Sequence, residues 1–219
     1  MNKVDDGKTV VKIGNPKTLE FQVVRTSLIP GLLKTIRENR SHPLPIKVFE
    51  STDVVFKDLS LERQARNVRH AAAVWCNKSA GFEVIHGLLD KAMKTLEVKR
   101  ISASDTQSES GYYLKEKDGK GDTVVVVNSD SILTFHFIDP TYFPGRAATI
   151  YYRPGPSSQK QSGLAAVKEG IKSALRSRSD IELGSIGILH PSVLEKFEIP
   201  YPCSALEITL EPFRQGIHP

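Results

Sequence analysis

Residues 68–96 read VRHAAAVWCNKSAGFEVIHGLLDKAMKTL and contain both kinds of element from which this fold is built. Within Val68 to Cys76, the run from Ala71 to Val74 has no polar alternation, which predicts a central strand covered on both faces. Gly81 to Leu96 carries apolar residues at intervals of three and four, which predicts an amphipathic helix. Because the strand is rich in small side chains, a helix can pack closely above it.

Outward from this stretch, strands and helices follow in an irregular order. We expect further strands at Thr9 to Ile13, Ile46 to Glu50, Val54 to Lys57, Tyr112 to Leu114, Thr123 to Val127, Ile132 to Ile138, Ala147 to Tyr152, Leu183 to Leu189 and Ala205 to Leu210. We expect helices at residues 29–40, 164–175 and 192–197, with a loop at 102–110, a hairpin turn at 118–121 and a linker at 154–162. Irregular alternation of this kind predicts an α+β fold with an antiparallel or mixed sheet flanked by helices.

Composition points to one globular unit of 219 residues, with 39% hydrophobic residues, 25% charged residues and a formal net charge of +5. Apolar runs such as Val124 to Val127 are far shorter than the roughly 20 residues that span a bilayer, and no apolar segment of the signal-peptide kind is seen near Met1. We therefore expect a cytoplasmic protein with no membrane partner. Cys76 and Cys203 lack the spacing of a zinc site or a disulfide framework.

Several short motifs occur in a fixed order along the chain. They are Val24-Arg25-Thr26-Ser27-Leu28, Pro30-Gly31-Leu32-Leu33, Lys47-Val48-Phe49-Glu50, Val54-Val55-Phe56-Lys57-Asp58, Phe143-Pro144-Gly145-Arg146-Ala147 and Ile186-Gly187-Ile188-Leu189-His190-Pro191. Together they resemble the catalytic-like module of the beta subunit of eukaryotic and archaeal phenylalanyl-tRNA synthetase. The resemblance covers residues 9–98 and 139–213, and it implies a class II aminoacyl-tRNA synthetase fold without synthetase chemistry.

The resemblance places Phe56 and Lys57 at a degenerate motif 2. A class II synthetase needs fixed positive charge at the ATP α-phosphate, and in this family motif 2 of the catalytic subunit supplies an arginine there. Phe56 occupies that position and has no hydrogen-bond donor, while Lys57, next along the strand, points to the other face. Ser204 to Leu210 lacks the glycines and arginine of motif 3. We therefore expect no catalytic, cofactor-binding or metal-binding residue in this chain, with ATP and magnesium belonging to the whole enzyme.

The remaining motif residues are interpreted as scaffold. These structural positions are Arg25, Pro30, Gly31, Glu50, Pro144, Gly145, Arg146, His190, Pro191 and Glu207. Pro144-Gly145 has the composition of a tight turn that leads into a strand, and a phosphate cradle is the weaker alternative. Arg146 and Glu207 are candidates for a partly buried ion pair, Glu50 for a cap or a pair, and Ser192 for a helix cap.

Two other constellations have weak catalytic or metal-binding interpretations. His70 and Cys76 share one strand about 20 Å apart, which is too far for a Cys-His dyad. Glu83, His86 and Asp90 share one helical face, where a solvated charged surface is favoured over a metal site.

The resemblance implies that this module pairs with the catalytic alpha subunit in an (αβ)2 enzyme that acts on tRNA(Phe). Since the match opens after the family's motif 1 segment, we expect a fragment of a longer subunit, with insertions near residues 99–138 and 154–182. An RNA-binding module is the alternative, based on a basic helix face with Lys168, Lys172, Arg176 and Arg178. The steep salt dependence of phosphate contacts would distinguish the two functions.

Overall fold

The structure is a computed structural model, and it describes residues 1–3, 7–18, 21–102, 109–116, 124–128, 131–135, 140–155 and 180–214. The strands are β1 (Ile46–Lys57), β2 (Ala65–Cys76), β3 (Gly111–Glu116), β4 (Val124–Asn128), β5 (Ser131–Phe135), β6 (Tyr142–Arg153), β7 (Ile181–Leu189) and β8 (Cys203–Thr209). The helices are α1 (Ile29–Glu38), α2 (Phe82–Thr95) and α3 (Pro191–Lys196), and a 3-10 turn follows at Glu211–Phe213. The predicted helix at 164–175, its linker, the 118–121 turn and most of the 102–110 loop lie outside the described residues.

Six strands form one sheet in the order β1-β2-β8-β7-β6-β3, and every neighbouring pair is antiparallel. The predicted α+β class is confirmed, and of the two sheet types the antiparallel one is found. β4 and β5 form a separate antiparallel pair. None of the described helices is long and apolar enough to cross a bilayer.

Helices cover both faces of the sheet, because alternate residues of a strand point to opposite faces. Val193 and Leu194 of α3 pack on the same face as α1. On one face α1 buries Ile29, Leu32, Leu33 and Ile36 against β1, β2 and β8. On the other face α2 buries Ile85, Leu89 and Met93 against β2, β7 and β8. The central strand and the amphipathic helix predicted from residues 68–96 are therefore both present. Leu88, another apolar residue of this helix, is 44% exposed because α2 leaves part of the sheet near β1 uncovered.

Three local predictions were wrong. Thr9 to Ile13 is not a strand: Lys12 forms an isolated bridge with Val23, and the segment makes single backbone hydrogen bonds such as Lys57 N–H to the Thr9 carbonyl. Ile46 to Glu50 and Val54 to Lys57 are one strand, because the polar residues between them stay paired with β2. Pro144-Gly145 does not precede a strand but lies inside β6, where the register shifts between Tyr142 and Ala147 and Gly145 takes a φ of +69°.

Candidate functional site

A cleft of about 860 Å³ opens on the α1 face of the sheet, where a degenerate synthetase site was expected. Its walls include the segment that leads into α1 and the ends of β1, β2 and β8. Arg25, Ser27, Phe56, His70 and Glu207 all line it. The structure therefore brings together Phe56, expected at a degenerate motif 2, and Glu207 of the strand expected to stand in place of motif 3.

Glu207 is the centre of a buried hydrogen-bond network in this cleft. Ser27 Oγ donates to one carboxylate oxygen at 2.6 Å, and the Leu28 N–H donates to the other at 3.1 Å. His70 Nδ1 lies 2.8 Å from that second oxygen. Burial pushes the pKa of Glu207 upward, but the hydrogen bonds from His70, Ser27 and Leu28 outweigh it and hold the pKa below its usual value.

Phe56 faces the same cleft and is half-buried against the α1-side core. Its ring lies 6.2 Å from the ring of His70 at an angle of 49°. Lys57 is exposed, as expected for the next residue along a strand, and its N–H donates to the Thr9 carbonyl at 2.9 Å. Phe56 therefore presents a hydrocarbon ring to the cleft and no hydrogen-bond donor.

Arg25 lines the cleft, but its guanidinium is already paired. Nη1 lies 2.8 Å from Glu50, Nη2 donates to the Thr52 hydroxyl at 3.1 Å, and Nε donates to the Asp53 carbonyl. Glu50, which was expected either to cap an element or to form an ion pair, therefore pairs with Arg25. A Cβ at Gly31 would lie 3.9 Å from this carboxylate, so α1 packs next to the pair.

Arg146 and Glu207 were each expected to be candidates for a partly buried ion pair, and of the two it is Glu207 that meets a basic side chain, His70, at 2.8 Å. Ser27, Leu28 and His70 occupy the Glu207 carboxylate, and Arg146 is not one of its partners. Arg146 instead lies within the irregular part of β6, between Tyr142 and Ala147, and lines a different surface.

That surface, which we call the motif groove, is an open depression of about 570 Å³. Two of the sequence motifs converge on it from neighbouring strands β6 and β7. Its lining residues include Phe143, Arg146, Leu189, Pro191, Leu194 and Tyr201. Phe143 and Tyr201 are 44% and 37% exposed, and Phe143 stacks on His190 with 6.2 Å between ring centroids.

His190 fixes the start of α3 beside the motif groove. Its Nδ1 accepts from the Ser192 N–H at 3.1 Å, while Pro191 occupies the first turn, where its missing N–H costs nothing. The cap is therefore His190 and not Ser192, whose hydroxyl contacts His190 and the side chain of Asn2.

The helix face with Glu83, His86 and Asp90 is not simply solvated, because Asp90 contacts a buried side chain. Tyr112, only 2% exposed, donates its hydroxyl to Asp90, and His86 Nδ1 lies 3.4 Å from the same carboxylate. Burial and this carboxylate raise the pKa of Tyr112. Within the described ranges, no three His, Cys, Asp or Glu side chains are grouped so as to hold a metal ion.

Sequence reasoning missed a second buried polar cluster at the far side of the sheet. Arg153, 6% exposed, contacts both Asp180 oxygens at 3.0 Å, and the Tyr113 hydroxyl donates to Asp180 at 2.6 Å. The hydrogen bond from Arg153 holds the pKa of Asp180 below its usual value, and burial with the Asp180 contact raises the pKa of Tyr113 to about 12. This cluster ties β3 and β6 to the residue before β7.

Comparisons with known proteins agree with the motifs. The family described as "Phenylalanyl tRNA synthetase beta chain CLM domain" matches residues 1–210. The phenylalanine–tRNA ligase beta subunit of Drosophila melanogaster is 46% identical over 97% of this chain and 28% of its own length. The Saccharomyces cerevisiae beta subunit is 41% identical over 97% of this chain and 29% of its own length. The cytoplasmic beta subunit of Arabidopsis thaliana is 35% identical over 94% and 28%. The chain thus spans less than a third of these relatives, and it belongs to the phenylalanyl-tRNA synthetase beta chain family.

Proposed function

We propose that this chain is a non-catalytic assembly domain of a phenylalanyl-tRNA synthetase beta subunit. It docks the catalytic alpha subunit in an (αβ)2 enzyme that charges tRNA(Phe) in the cytoplasm. The observation that carries the proposal is the convergence of Phe143-Pro144-Gly145-Arg146 and Ile188-Leu189-His190-Pro191 on the motif groove.

The composition of the motif groove favours a protein partner. Protein interfaces are enriched in aromatic residues and arginine, and a few such residues carry most of the binding energy. Phe143, Arg146 and Tyr201 supply these types around an apolar floor that contains Leu189 and Leu194. The floor is rigid, since both leucines are almost fully buried and α3 is capped by His190. Little ordering entropy is lost when a partner docks on a surface already held in place.

The cleft supports the non-catalytic part of the proposal. In-line displacement at a phosphate requires fixed cationic donors. Phe56 offers none, Arg25 is neutralised by Glu50, and Glu207 places a negative charge beside His70. These residues do not fit a nucleoside triphosphate with its magnesium. ATP and magnesium are accordingly assigned to the alpha subunit, and the helix-flanked antiparallel sheet supports a class II fold kept as one scaffold domain.

The test is co-purification of this chain with a tagged alpha subunit. Arg146→Glu and Tyr201→Ala should each lower the bound fraction at least tenfold without changing the melting temperature. Arg63→Glu, an exposed arginine away from the motif groove, is the charge-matched control and should bind normally. Full binding by both groove variants would refute docking at this surface, and no binding by the unmodified chain would refute the assembly role.

The alternative RNA-binding function has no support from the described residues, because Lys168, Lys172, Arg176 and Arg178 lie outside them. Binding of tRNA(Phe) to the isolated chain with a steep loss of affinity in salt would favour it over the assembly role.

A further inference from the structure

β1 is an edge strand of the sheet, and part of its outer side has no partner. Odd-numbered residues of β1 direct their N–H and C=O groups away from β2, as two backbone bonds establish. The Val55 N–H donates to the Arg25 carbonyl at 3.0 Å, and the Lys57 N–H donates to Thr9. Arg25 Nε also donates a hydrogen bond to the Asp53 carbonyl. The segment before α1 therefore covers this edge from Asp53 onward.

The other outward-facing residues of β1 are Lys47, Phe49 and Ser51. None of them makes a backbone hydrogen bond on this side to any part of the chain that the structure describes. Pro45, which has no N–H, precedes the strand. We call the stretch Ile46–Thr52 the open edge. An uncovered strand edge of this kind is a template for pairing with another strand.

The open edge is also apolar on its α2 side. Phe49 is 84% exposed, the highest exposure of any large hydrophobic side chain in the described residues. Beside it lies an apolar groove of about 570 Å³ between β1 and α2, with Ala71, Ala73, Val84, Leu88 and Ala92 in its lining. The Lys47 ammonium lies 4.9 Å from the centre of the Trp75 ring at the end of this groove. A strand added here would cover Phe49 as well as satisfy the free backbone groups.

We propose that the open edge pairs with the open edge of a second copy of this chain, antiparallel and centred on Phe49. Phe49 is the middle residue of Ile46–Thr52, so two copies related by a two-fold axis through Phe49 use the whole stretch. In this register Phe49 faces Phe49, Lys47 faces Ser51, Val48 faces Glu50 and Ile46 faces Thr52. No two side chains of like charge face each other across the pair, and the two phenyl rings shield each other from water.

The neighbouring registers are obstructed at one end or the other. Moving the centre to Glu50 sets Lys47 opposite Asp53, whose carbonyl Arg25 already occupies. Moving it to Val48 sets Pro45 opposite Ser51, where the proline cannot donate. The chain therefore favours one homotypic register, and this contact is independent of docking at the motif groove, which lies on other elements.

Cysteine pairing tests the register directly. Residues exchanging both hydrogen bonds have Cα atoms about 5.5 Å apart, within the span of a disulfide. Under mild oxidation, F49C should give a covalent dimer by itself. S51C alone should not, but an equimolar mixture of S51C and K47C should. The native Cys76 and Cys203 are buried, at 1% and 0% exposure, and the unmodified chain controls for them.

Light scattering after size exclusion tests the association without crosslinks. With rising concentration the mass should move from that of the 24.2 kDa chain towards twice that value. Ser51→Pro and Phe49→Lys should each abolish the shift with an unchanged melting temperature, because proline is tolerated on an edge. Leu59→Lys, which changes another exposed leucine, should keep it. A monomer at all concentrations, equal crosslinking of S51C alone, or loss of the F49C crosslink when the alpha subunit is added would each overturn the proposal.

Discussion

The Glu207 carboxylate and the His70 imidazole meet at 2.8 Å across the neighbouring strands β8 and β2. The same carboxylate accepts from Ser27 and Leu28, so one side chain holds two strands and the entry to α1 together. Since these groups are all buried or half-buried, their hydrogen bonds depend on the Glu207 carboxylate as the acceptor.

Replacing Glu207 by alanine should therefore destabilise the fold. The Leu28 N–H, the Ser27 hydroxyl and the His70 ring would lose their acceptor, which costs about 2–3 kcal/mol in the free energy of unfolding. Urea denaturation measures the loss. Glu62→Ala, which removes an exposed carboxylate from the β1–β2 connection, should leave the midpoint unchanged. Equal stability of the two variants would contradict the network.

The same network should show in the pH dependence of stability. Because the folded pKa of Glu207 is lowered, its stabilising contribution is present above the unfolded value of about 4.5 and is lost as pH falls through the folded pKa. The difference in unfolding free energy between the unmodified chain and Glu207→Gln should be constant above about pH 6 and shrink below about pH 4.5. A difference independent of pH down to 3 would show that Glu207 does not titrate as a bound carboxylate.

Asp90 and Glu83 lie on the same helix face but should respond differently to substitution. Sequence alone predicts mild effects for both. Asp90, however, accepts from the buried Tyr112 hydroxyl, so Asp90→Ala should cost about 1–3 kcal/mol, whereas Glu83→Ala should leave stability nearly unchanged. Parallel thermal melts compare them. Equal melting temperatures for the two variants would contradict a stabilising role for Asp90 and support the prediction of a solvated helix face.

Gly81 and Gly87 should give opposite results when changed to alanine. Gly81 has a φ of +57°, and a Cβ there would lie 2.5 Å from Nε1 of Trp75. Gly81→Ala should destabilise by more than about 1 kcal/mol and shift the fluorescence of Trp75, the only tryptophan in the chain. Gly87 lies inside α2 with nothing within 4 Å of the added carbon, so Gly87→Ala should stabilise by about 0.5–1 kcal/mol. If Gly81→Ala instead raised the stability, the backbone at the start of α2 would differ from the one described here.

Much of the fold could be predicted because its signals are local. The periodicity of α2 and the unbroken apolar run of β2 each lie within one stretch of sequence. The Glu207 network could not be predicted, because Ser27, His70 and Glu207 become neighbours only when β8 inserts beside β2. One signal was present: Glu207 is the only charged residue of an otherwise buried strand, and a buried charge requires donors. Pro144-Gly145 was assigned to a turn because its composition suits a turn and a bulge equally, and only pairing with β7 decides between them.

The last prediction is that this chain does not form phenylalanyl adenylate. Pyrophosphate exchange with phenylalanine, ATP and magnesium should stay at the level of a no-enzyme control, because the cleft presents Phe56 and Glu207 where charge on the phosphate would have to be stabilised. Phe56→Arg should not restore exchange. The new guanidinium would enter a cleft that already holds the Glu207 carboxylate, and β8 has no arginine to act as its counterpart on the other side of the nucleotide. Exchange above the control in the unmodified chain would contradict the assembly role, whereas exchange gained only in Phe56→Arg would show that one missing cation accounts for the lost activity.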